Sequence, residues 1–200
     1  MLHRPLLLGG DHSVSSSSVL ASLKKYKDLE VIWVDAHPDM HTYDSTVSGN
    51  THGTPLSIAT GLEEQHWASR MSLPRLRFPN LTYCGIRDID DFEAQIIEEK
   101  KIRVLNVADT VDYIRNTDAP IHISFDVDAL DPKLVSSTGT RVDNGLNSQE
   151  VMEIIGSALI DDKLVSLDVV EFNTALGDPE KSLKSVKDVF EDAIEGLTHK

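Results

Sequence analysis

The segment EVIWVDAHPD, residues Glu30–Asp39, carries the clearest fold signal in the sequence. Its apolar run, Val31–Val34, leads directly to two aspartates and a histidine at positions 35, 37 and 39. A short, continuous run rich in Val and Ile is typical of a strand that is buried on both faces of a parallel sheet. Alternate residues of an extended segment point to one side, so the three polar side chains that follow can converge. The stretch therefore predicts a parallel strand over Glu30–Asp35 that ends in a cluster of polar groups.

Five further segments have the same short apolar character and are predicted strands. They are Pro5–Gly9, Leu81–Ile86, Ile102–Asn106, Ile121–Asp126 and Leu164–Val170. Segments with helical periodicity lie between and after them, namely Val14–Tyr26, Asp91–Lys101, Ser148–Ile160 and Pro179–Leu197. Strands that alternate with helices imply crossover connections and a layer of helices on each face of the sheet. The predicted fold class is therefore α/β, a three-layer αβα sandwich with a mainly parallel sheet.

Composition and charge limit the classes of function. The 200 residues include 33 acidic and 19 basic side chains, which gives a formal net charge of −14. A nucleic-acid-binding protein would present a basic face, so nucleic acid is not an expected partner. No apolar run approaches the roughly 18 residues that a membrane span needs, so a membrane is not expected either. The ordinary composition and the lack of a linker predict a single domain over residues 1–200.

The cysteine and leader patterns favour a cytoplasmic protein. The single Cys84 excludes an internal disulfide and suits a reducing compartment. The apolar stretch Leu6–Leu8 is too short for the core of a signal peptide. Cys84 lies in a predicted strand and is expected to be buried, whereas the serine run Ser15–Ser18 is expected to lie on a helix surface.

Acidic and histidine residues cluster where the predicted strands end. GGDHS, residues 9–13, follows the first strand, Asp126 and Asp128 end the fifth, and Glu171 follows the sixth. Ligands bind outside the carboxyl ends of the strands in open α/β sheets, so these groups and those of residues 35–39 are expected in one crevice. The candidate metal ligands are His12, Asp35, His37, Asp39, Asp126 and Asp128.

The types of these ligands indicate the metal. Four carboxylates and two imidazoles, without a thiolate, suit Mn²⁺ better than a zinc site built from cysteines. Crowded carboxylates repel one another unless cations neutralise them, and two divalent ions balance four negative charges. A two-metal site can lower the pKa of a bridging water from about 15.7 towards 7 and so supply a hydroxide nucleophile.

Each motif has a structural alternative when it is taken alone. DAHPD can form a turn that an aspartate caps, and DVD can cap a helix or lie at a solvated corner. GGDHS can be a glycine turn that leads into a capped helix. The metal-site interpretation depends on the convergence of all three motifs at the ends of different strands.

Seven motifs, in one order along the chain, resemble those of the arginase family, the ureohydrolases. They are GGDHS (9–13), DAHPD (35–39), SGNTHG (48–53), GIRDID (85–90), SFDVDALDP (124–132), STGT (137–140) and VEFN (170–173). The resemblance implies an arginase-like αβα sandwich, a cluster of two Mn²⁺ ions per chain, and hydrolysis of a guanidinium group to urea and an amine. It implies a small guanidino compound as substrate and a homo-oligomer, because family members form trimers and hexamers.

The resemblance also assigns metal ligands. One manganese would be held by His12, Asp35, Asp39 and Asp126, and the other by Asp35, His37, Asp126 and Asp128. Asp35 and Asp126 would bridge the two ions.

Substrate-binding roles follow from the same resemblance. Glu171 would grip the guanidinium, with Thr140 in the same pocket, and His52 would carry protons to the leaving amine. Asp90, with Glu93 behind it, would bind a substrate α-amino group. The loop that would bind the α-carboxylate contains Thr46, Ser48 and Asn50.

By resemblance, the expected reaction is the hydrolysis of L-arginine to L-ornithine and urea by a metal-bridging hydroxide. Ornithine would leave protonated through Asp128 and His52, which would make the chain an enzyme of arginine metabolism and the urea cycle. Two alternatives stay open. One is a ureohydrolase for another guanidino compound such as agmatine, and the other is a shortened, non-catalytic member that binds metal or a partner subunit.

The sequence departs from the family pattern in ways that leave specificity and activity open. His41 stands where an asparagine is usual, and Ser136 and Arg141 replace prolines. Family members also carry a segment before the GGDHS strand, so the chain is expected to be an N-terminally shortened domain or the product of an incomplete gene model. Without that segment, the edge of the Pro5–Gly9 strand is expected to be exposed.

Overall fold

A parallel sheet forms the centre of the molecule. The computed structural model describes residues 4–160 and 162–198. Within them, six strands pair in the order β1-β6-β5-β2-β3-β4, and every pairing is parallel. The strands are β1 (Leu6–Leu8), β2 (Glu30–Val34), β3 (Leu81–Cys84), β4 (Arg103–Leu105), β5 (Ile121–Asp126) and β6 (Leu164–Val170). The predicted parallel sheet is confirmed, and each strand lies within a segment predicted from its apolar run.

Helices cover both faces of this sheet. They are α1 (Ser15–Lys25), α2 (Pro55–Thr60), α3 (Trp67–Arg70), α4 (Asp91–Lys100), α5 (Val107–Asn116), α6 (Ser148–Ile160) and α7 (Pro179–Thr198). One apolar core contains Ile32 and Val34 with residues of α5, α6 and α7, and the other contains Val31 and Trp33 with residues of α1, α2 and α4. Alternate residues of β2 therefore face opposite helical layers, which confirms the αβα sandwich. Within the described residues, no helix has the length and apolar character to cross a membrane.

Helix α5 was absent from the sequence prediction, which counted Asn106 as the end of a strand. In the structure β4 stops at Leu105, and the Asn106 side chain accepts a hydrogen bond from the backbone N–H of Asp109 at 2.9 Å. An asparagine in this position caps the free N–H groups of a helical first turn. Strand and helix thus follow each other without a connecting loop. The short helices α2 and α3 were also not predicted.

The expectation for the serine run was wrong. Ser15 and Ser16 are buried, Ser17 is exposed, and Ser18 is only partly exposed. The face of α1 that carries Ser15 packs on polar residues of β5 and β6 rather than on solvent. Burial of Cys84, in contrast, is confirmed.

Strand β1 lies at one end of the described sheet, where it pairs with β6. Leu6 and Leu8 are 53% and 75% exposed, which confirms the expected exposure of this edge. Apolar side chains beside open backbone groups form a surface that favours pairing with another chain.

The segment between β5 and α6 lines one side of the carboxyl end of the sheet and is closed at its base. The N–H of Leu146 donates to the carbonyl of Ala129 at 2.8 Å, and the N–H of Asp131 donates to the carbonyl of Leu146 at 2.9 Å. Gly145 lies against this base, where a Cβ atom would approach the backbone nitrogen of Asp131 to 2.5 Å. No side chain fits there without moving backbone.

Gly145→Ala is therefore expected to lower the free energy of unfolding by about 1–3 kcal/mol, as overpacking of a closed site does. Gly139→Ala is the matched control, because the same segment leaves open space around that position. Urea denaturation of both variants measures the difference. Equal stabilities would contradict the closed base.

Candidate metal centre

A cavity of about 220 Å³ opens at the carboxyl ends of the strands. Its lining includes seven carboxylates and four imidazoles, from Asp39, Asp88, Asp90, Glu93, Asp126, Asp128, Glu171, His12, His37, His41 and His52. The structure therefore brings together groups that are far apart in the sequence, as the strand-end pattern predicted.

The first cluster surrounds one nitrogen atom of His12. Its Nδ1 lies 2.9 Å from Oδ2 of Asp35, 3.0 Å from Oδ2 of Asp39 and 3.1 Å from Oδ2 of Asp126. A single ring nitrogen cannot donate to three acceptors at once. Within the described residues, neither this Nδ1 nor the Asp35 Oδ2 has a hydrogen bond of acceptable geometry, although both are buried. Such orphaned polar atoms are costly unless a cation binds them.

A second cluster shares Asp35 with the first. Nδ1 of His37 lies 3.5 Å from Asp35 Oδ1 and 3.2 Å from Asp128 Oδ2. The Thr140 hydroxyl donates to the same Asp128 oxygen at 2.8 Å. All six candidate ligands thus lie in two groups that meet at Asp35.

Backbone N–H groups orient the carboxylates. The N–H of His37 donates to Asp35 Oδ1 at 2.8 Å, and the N–H of Asp128 donates to Asp126 Oδ1 at 2.7 Å. In each case one oxygen is held by the chain while Oδ2 faces His12. The His12 ring in turn stacks on Trp33, with ring centroids 4.0 Å apart. The geometry of the cluster therefore follows from the turns that end β2 and β5.

The burial of these carboxylates is unfavourable for their charged forms. Burial raises the pKa of Asp126 well above its usual range, and the charges of Asp128 and Asp35 add to this effect. Burial and the charge of Asp35 raise the pKa of Asp39 to about 7. A nearby positive charge would reverse both shifts.

The imidazoles respond in the opposite sense. Burial alone would lower the pKa of His37, but hydrogen bonds to Asp128 and Asp35 outweigh it and raise the pKa to about 11. His12 follows the same pattern, because burial alone would lower its pKa, whereas the adjacent carboxylates of Asp126, Asp35 and Asp39 raise it well above the usual value. The cluster thus holds protons where it lacks other cations.

The donor set fits a pair of divalent ions. Two ligand atoms bound at right angles about 2.1 Å from an ion lie about 3.0 Å apart, close to the separations around His12. Ligating atoms of the His12, Asp35 and Asp39 group, and of the Asp35, His37 and Asp128 group, also lie within 4.8 Å of one another. Oxygen with some nitrogen is the ligand chemistry expected for Mn²⁺.

Glu171 lines the same cavity and follows β6 directly. Its Oε1 accepts a hydrogen bond from the His12 backbone N–H at 2.8 Å and lies 3.4 Å from His52 Nδ1. The interaction with Glu171 raises the pKa of His52. Burial would raise the pKa of Glu171, but hydrogen bonds from His52 and the His12 backbone lower it. The pair is therefore an ionised carboxylate beside an imidazole that holds its proton.

Two of these acids lie on unusual backbone. Asp39 has a φ angle of 52° and Glu171 one of 65°, both in the left-handed region. Residues other than glycine rarely adopt it, and they do so mainly where the surrounding structure enforces it. Both side chains line the cavity.

The outer end of the cavity is formed by His41, Asp90 and Glu93. Nε2 of His41 lies 3.0 Å from Asp90 Oδ2, and Nδ1 lies 3.0 Å from the hydroxyl of Ser45. The His41 ring stacks on Phe92 with centroids 5.5 Å apart. Asp90 also caps α4 through Oδ1, which accepts from the N–H of Glu93 at 2.9 Å. Both nitrogens of His41 and both oxygens of Asp90 are thus engaged within the protein.

The loop residues Thr46, Ser48 and Asn50 lie elsewhere. Among the described residues, those that line the cavity do not include them. The hydroxyls of Thr46 and Ser48 are 3.3 Å apart, and Ser48 accepts a bond from the N–H of Asn50 at 3.2 Å. The sequence predicted that these three residues bind substrate. In the structure their polar groups contact one another and do not line the cavity.

Arg87 was missed by the sequence prediction. Its guanidinium donates to five backbone carbonyls, those of Gly85, Ala129, Asp128, Val142 and Asp143, at 2.8–3.2 Å. One side chain thus joins the turn after β3 to both ends of the segment that carries Thr140. The only sequence signal for this role is that Arg87 lies within the motif GIRDID. Its partners are backbone carbonyls, which every residue has, so the sequence of the partner segment does not reveal them.

Comparison with known proteins identifies the family. The model of the Arginase family matches residues 2–194. The chain belongs to the arginase family. It is 37% identical over 187 residues to an arginase of Eremothecium gossypii, covering 86% of this chain and 47% of that protein. It is 36% identical over 197 residues to an arginase of Schizosaccharomyces pombe, covering 90% of this chain and 60% of that protein.

Solved arginase structures share the fold. The Entamoeba histolytica arginase in complex with L-ornithine superposes with a TM-score of 0.84 at 31% identity, over 96% of this chain and 71% of that one. The arginase-family chain described here spans about half the length of the curated relatives it matches. Its fold and its hydrolase family are thereby shown.

The pKa shifts predict how stability depends on pH. The pKa of His37 is about 11 in the folded chain and near 6.5 when unfolded. Its contribution is full below pH 6.5 and is lost as the pH rises towards 11. Without metal, the free energy of unfolding is therefore expected to fall between pH 7 and pH 10.

Saturating Mn²⁺ should flatten or reverse this fall, because metal replaces the protons that the cluster holds. Urea denaturation across the pH range, with and without Mn²⁺, makes the measurement. His37→Asn is the control and should show a shallower fall without metal. An identical slope in wild type and His37→Asn would contradict the assignment.

Proposed function

We propose that the chain is a manganese-dependent amidinohydrolase that converts L-arginine and water to L-ornithine and urea. The supporting observation is the cavity that two carboxylate–histidine groups, joined at Asp35, share with the carboxylate of Glu171. The inner groups suit a pair of metal ions, and Glu171 suits a planar cation. A guanidinium substrate satisfies both requirements.

The proposal assigns two Mn²⁺ ions to each chain. One would be held by His12, Asp35, Asp39 and Asp126, and the other by Asp35, His37, Asp126 and Asp128, with Asp35 and Asp126 shared. When bound, the ion pair neutralises the four carboxylates and makes a water molecule nucleophilic at neutral pH.

Glu171 binds and orients the substrate in this proposal. Its Oε1 is held by the His12 N–H, and the lowered pKa keeps the side chain ionised. A carboxylate can hold a guanidinium by two parallel hydrogen bonds and so fix the plane of the carbon that is attacked. Thr140 lines the same cavity and holds Asp128 by a hydrogen bond.

Proton movement falls to Asp128 and His52. Asp128 accepts the proton that the attacking water loses, while the Thr140 hydroxyl keeps its Oδ2 in place. The C–N bond to the side-chain nitrogen then breaks, and that nitrogen takes the proton held by Asp128 to leave as the amine. His52 lies at the cavity lining with a raised pKa and gives the amine a second proton, so that it departs as an ammonium ion. Solvent returns a proton to His52 when the former water loses its second proton and the urea carbonyl forms.

The outer groups select the substrate. Asp90 and Glu93 offer negative charge to an α-amino group, and the loop with Thr46, Ser48 and Asn50 would have to rearrange to reach an α-carboxylate. Because His41 already contacts Asp90, a guanidino compound without an amino-acid end, such as agmatine, is the second candidate substrate.

The proposal includes a single domain over residues 1–200, a cytoplasmic location, and assembly as a homo-oligomer.

Asp128→Asn is expected to reduce urea release at least 100-fold, because an amide cannot accept the proton from the attacking water. A colorimetric urea assay with L-arginine and Mn²⁺ measures the effect. Asp131→Asn is the control, since Asp131 lies in the same segment outside the cavity lining. Full activity of Asp128→Asn would refute the assignment.

His41→Asn is expected to raise kcat/KM for L-arginine relative to agmatine, by roughly 10-fold, because it frees Asp90 Oδ2 for an α-amino group. Initial rates with both substrates, for wild type and variant, give the ratio. The reading of His41 as a specificity residue fails if the ratio is unchanged.

A further inference from the structure

The outer end of the cavity holds a third group of side chains that can bind a metal. Nε2 of His41, one carboxylate oxygen of Asp90 and one of Glu93 all lie within 4.8 Å of one another. The group shares no residue with the two inner clusters that meet at Asp35. It combines an imidazole with two carboxylates, so it is a mixed nitrogen and oxygen ligand set and not only a patch of acidic residues.

Backbone N–H groups hold one oxygen of each carboxylate and leave the other oxygen towards the histidine. Asp90 immediately precedes α4, and its Oδ1 accepts a hydrogen bond from the N–H of Glu93 at 2.9 Å. Oε1 of Glu93 accepts from the N–H of Met40 at 3.0 Å. The remaining oxygens, Oδ2 of Asp90 and Oε2 of Glu93, lie 3.0 Å and 3.9 Å from Nε2 of His41. The inner carboxylates are oriented by the chain in the same way.

The free oxygen of Glu93 points to a ligand. Glu93 is only 6% exposed, yet it lines the cavity. Its Oε2 accepts no hydrogen bond within the described part of the chain, since Nε2 of His41, at 3.9 Å, is too far away to donate one. A nearly buried carboxylate oxygen without a donor is unfavourable, and a bound cation offsets this cost.

The His41 imidazole is held in place by its surroundings. The backbone N–H of His41 donates to the carbonyl of Gly53 at 3.0 Å, and its carbonyl accepts from the hydroxyl of Ser57 at 2.6 Å. The ring stacks on Phe92, and Nδ1 lies 3.0 Å from the hydroxyl of Ser45. Metal-binding histidines are commonly oriented by a polar partner of the other ring nitrogen. Nε2 is thus the atom that faces the two acids.

The separations of the three ligand atoms match a zinc ion. Nitrogen and oxygen ligands at about 2.0–2.1 Å from Zn²⁺, in tetrahedral geometry, lie about 3.3 Å apart. The distances of 3.0 Å and 3.9 Å from Nε2 of His41 lie on either side of this value. Three protein ligands leave the fourth position of the ion open, as in many zinc sites. Mn²⁺ favours six ligands, so a group of three suits it less well.

We propose that His41, Asp90 and Glu93 form a third metal site, which binds one Zn²⁺ ion at the outer end of the cavity. The ion neutralises the charge of the two carboxylates. The contact between His41 and Asp90 is then the separation of two ligands of one ion. The site goes beyond the proposed reaction, because none of its residues is assigned to the manganese pair.

A zinc ion at this site changes what the outer end of the cavity can bind. Asp90 and Glu93 are the groups that the proposed function assigns to a substrate α-amino group. An ammonium group and Zn²⁺ are both positively charged, so they cannot share these carboxylates. The third site therefore sets Zn²⁺ and an α-amino acid in competition. This consequence alone rests on the proposed function, whereas the binding of Zn²⁺ does not.

The number of Zn²⁺ ions bound per chain tests the site. Equilibrium dialysis of the folded protein against Zn²⁺, followed by metal analysis, gives this number. Glu93→Gln and His41→Asn are each expected to bind one Zn²⁺ ion fewer than wild type. Gln keeps an oxygen that can accept from the Met40 N–H, so Glu93→Gln removes little besides the charged ligand.

Asp91→Asn is the matched control. It removes an exposed carboxylate from the first turn of the same helix, next in sequence to a proposed ligand but outside the group of three. Asp91→Asn is expected to bind as many Zn²⁺ ions as wild type. Urea denaturation shows that each variant is folded, and Glu93→Gln carries the test if His41→Asn does not fold.

Two results would overturn the third site. If the folded Glu93→Gln protein binds as many Zn²⁺ ions as wild type, His41 and Asp90 form an ion pair only. If Asp91→Asn also loses an ion, the loss reflects the general negative charge around the start of α4 and not a site with defined ligands.

The same counts separate the third site from the proposed function. Zn²⁺ binds nitrogen and oxygen ligands more tightly than Mn²⁺ does, so it also occupies the inner clusters. The ions that Glu93→Gln retains therefore belong to the inner clusters. A variant that retains none, while wild type binds one, would support the third site and refute the inner metal centre. Equal numbers of retained ions in wild type and variant would refute the third site and leave the proposed function intact.

Discussion

The whole arrangement depends on carboxylates that the fold buries beside one another. Asp35, Asp39 and Asp126 point an oxygen each at one nitrogen of His12, and the low dielectric of a buried site magnifies their repulsion. Only positive charge makes such a cluster tolerable. The adjacent carboxylates raise the pKa values of His12 and His37, which favours the positively charged form of each imidazole. Metal ions would supply the same charge more effectively.

The parallel sheet is what makes this concentration of charge possible. Strands β2 and β5 are neighbours at the centre of the sheet, and their carboxyl ends release Asp35 and Asp126 side by side. Backbone N–H groups then hold one oxygen of each carboxylate. The apolar layers on both faces keep the strands rigid, so the ligands have little freedom to move apart. A stable core thus holds an unstable group of charges in place.

Much of this could be predicted from the sequence, because strands and metal ligands both leave local patterns. Ile121–Asp126 and Leu164–Val170 were predicted with the bounds that the structure shows. The prediction that Ser15–Ser18 lies on a helix surface was wrong. A serine that packs against other buried polar residues gives the same sequence pattern as a serine that faces water. Arg87 was missed since its partners are carbonyls, which every residue possesses.

The sequence predicts the inner metal ligands of the site better than it predicts the outer contacts that select the substrate. The inner ligands are buried, and their DxHxD and DxD spacing follows from strand geometry. The outer contacts depend on how loops fold back, so the pairing of His41 with Asp90 has no local signal. The chemistry of the arginase family is therefore easier to recognise from sequence than the choice of substrate.

The left-handed backbone at Asp39 and Glu171 opposes folding at two positions that line the cavity. This conformation costs a residue with a Cβ atom about 1–2 kcal/mol, whereas glycine adopts it without steric strain. Glycine at either position would thus relieve strain while removing a carboxylate. Selection for stability alone would favour glycine at both positions. The acidic side chains there are therefore explained by the function of the cavity and not by the stability of the fold.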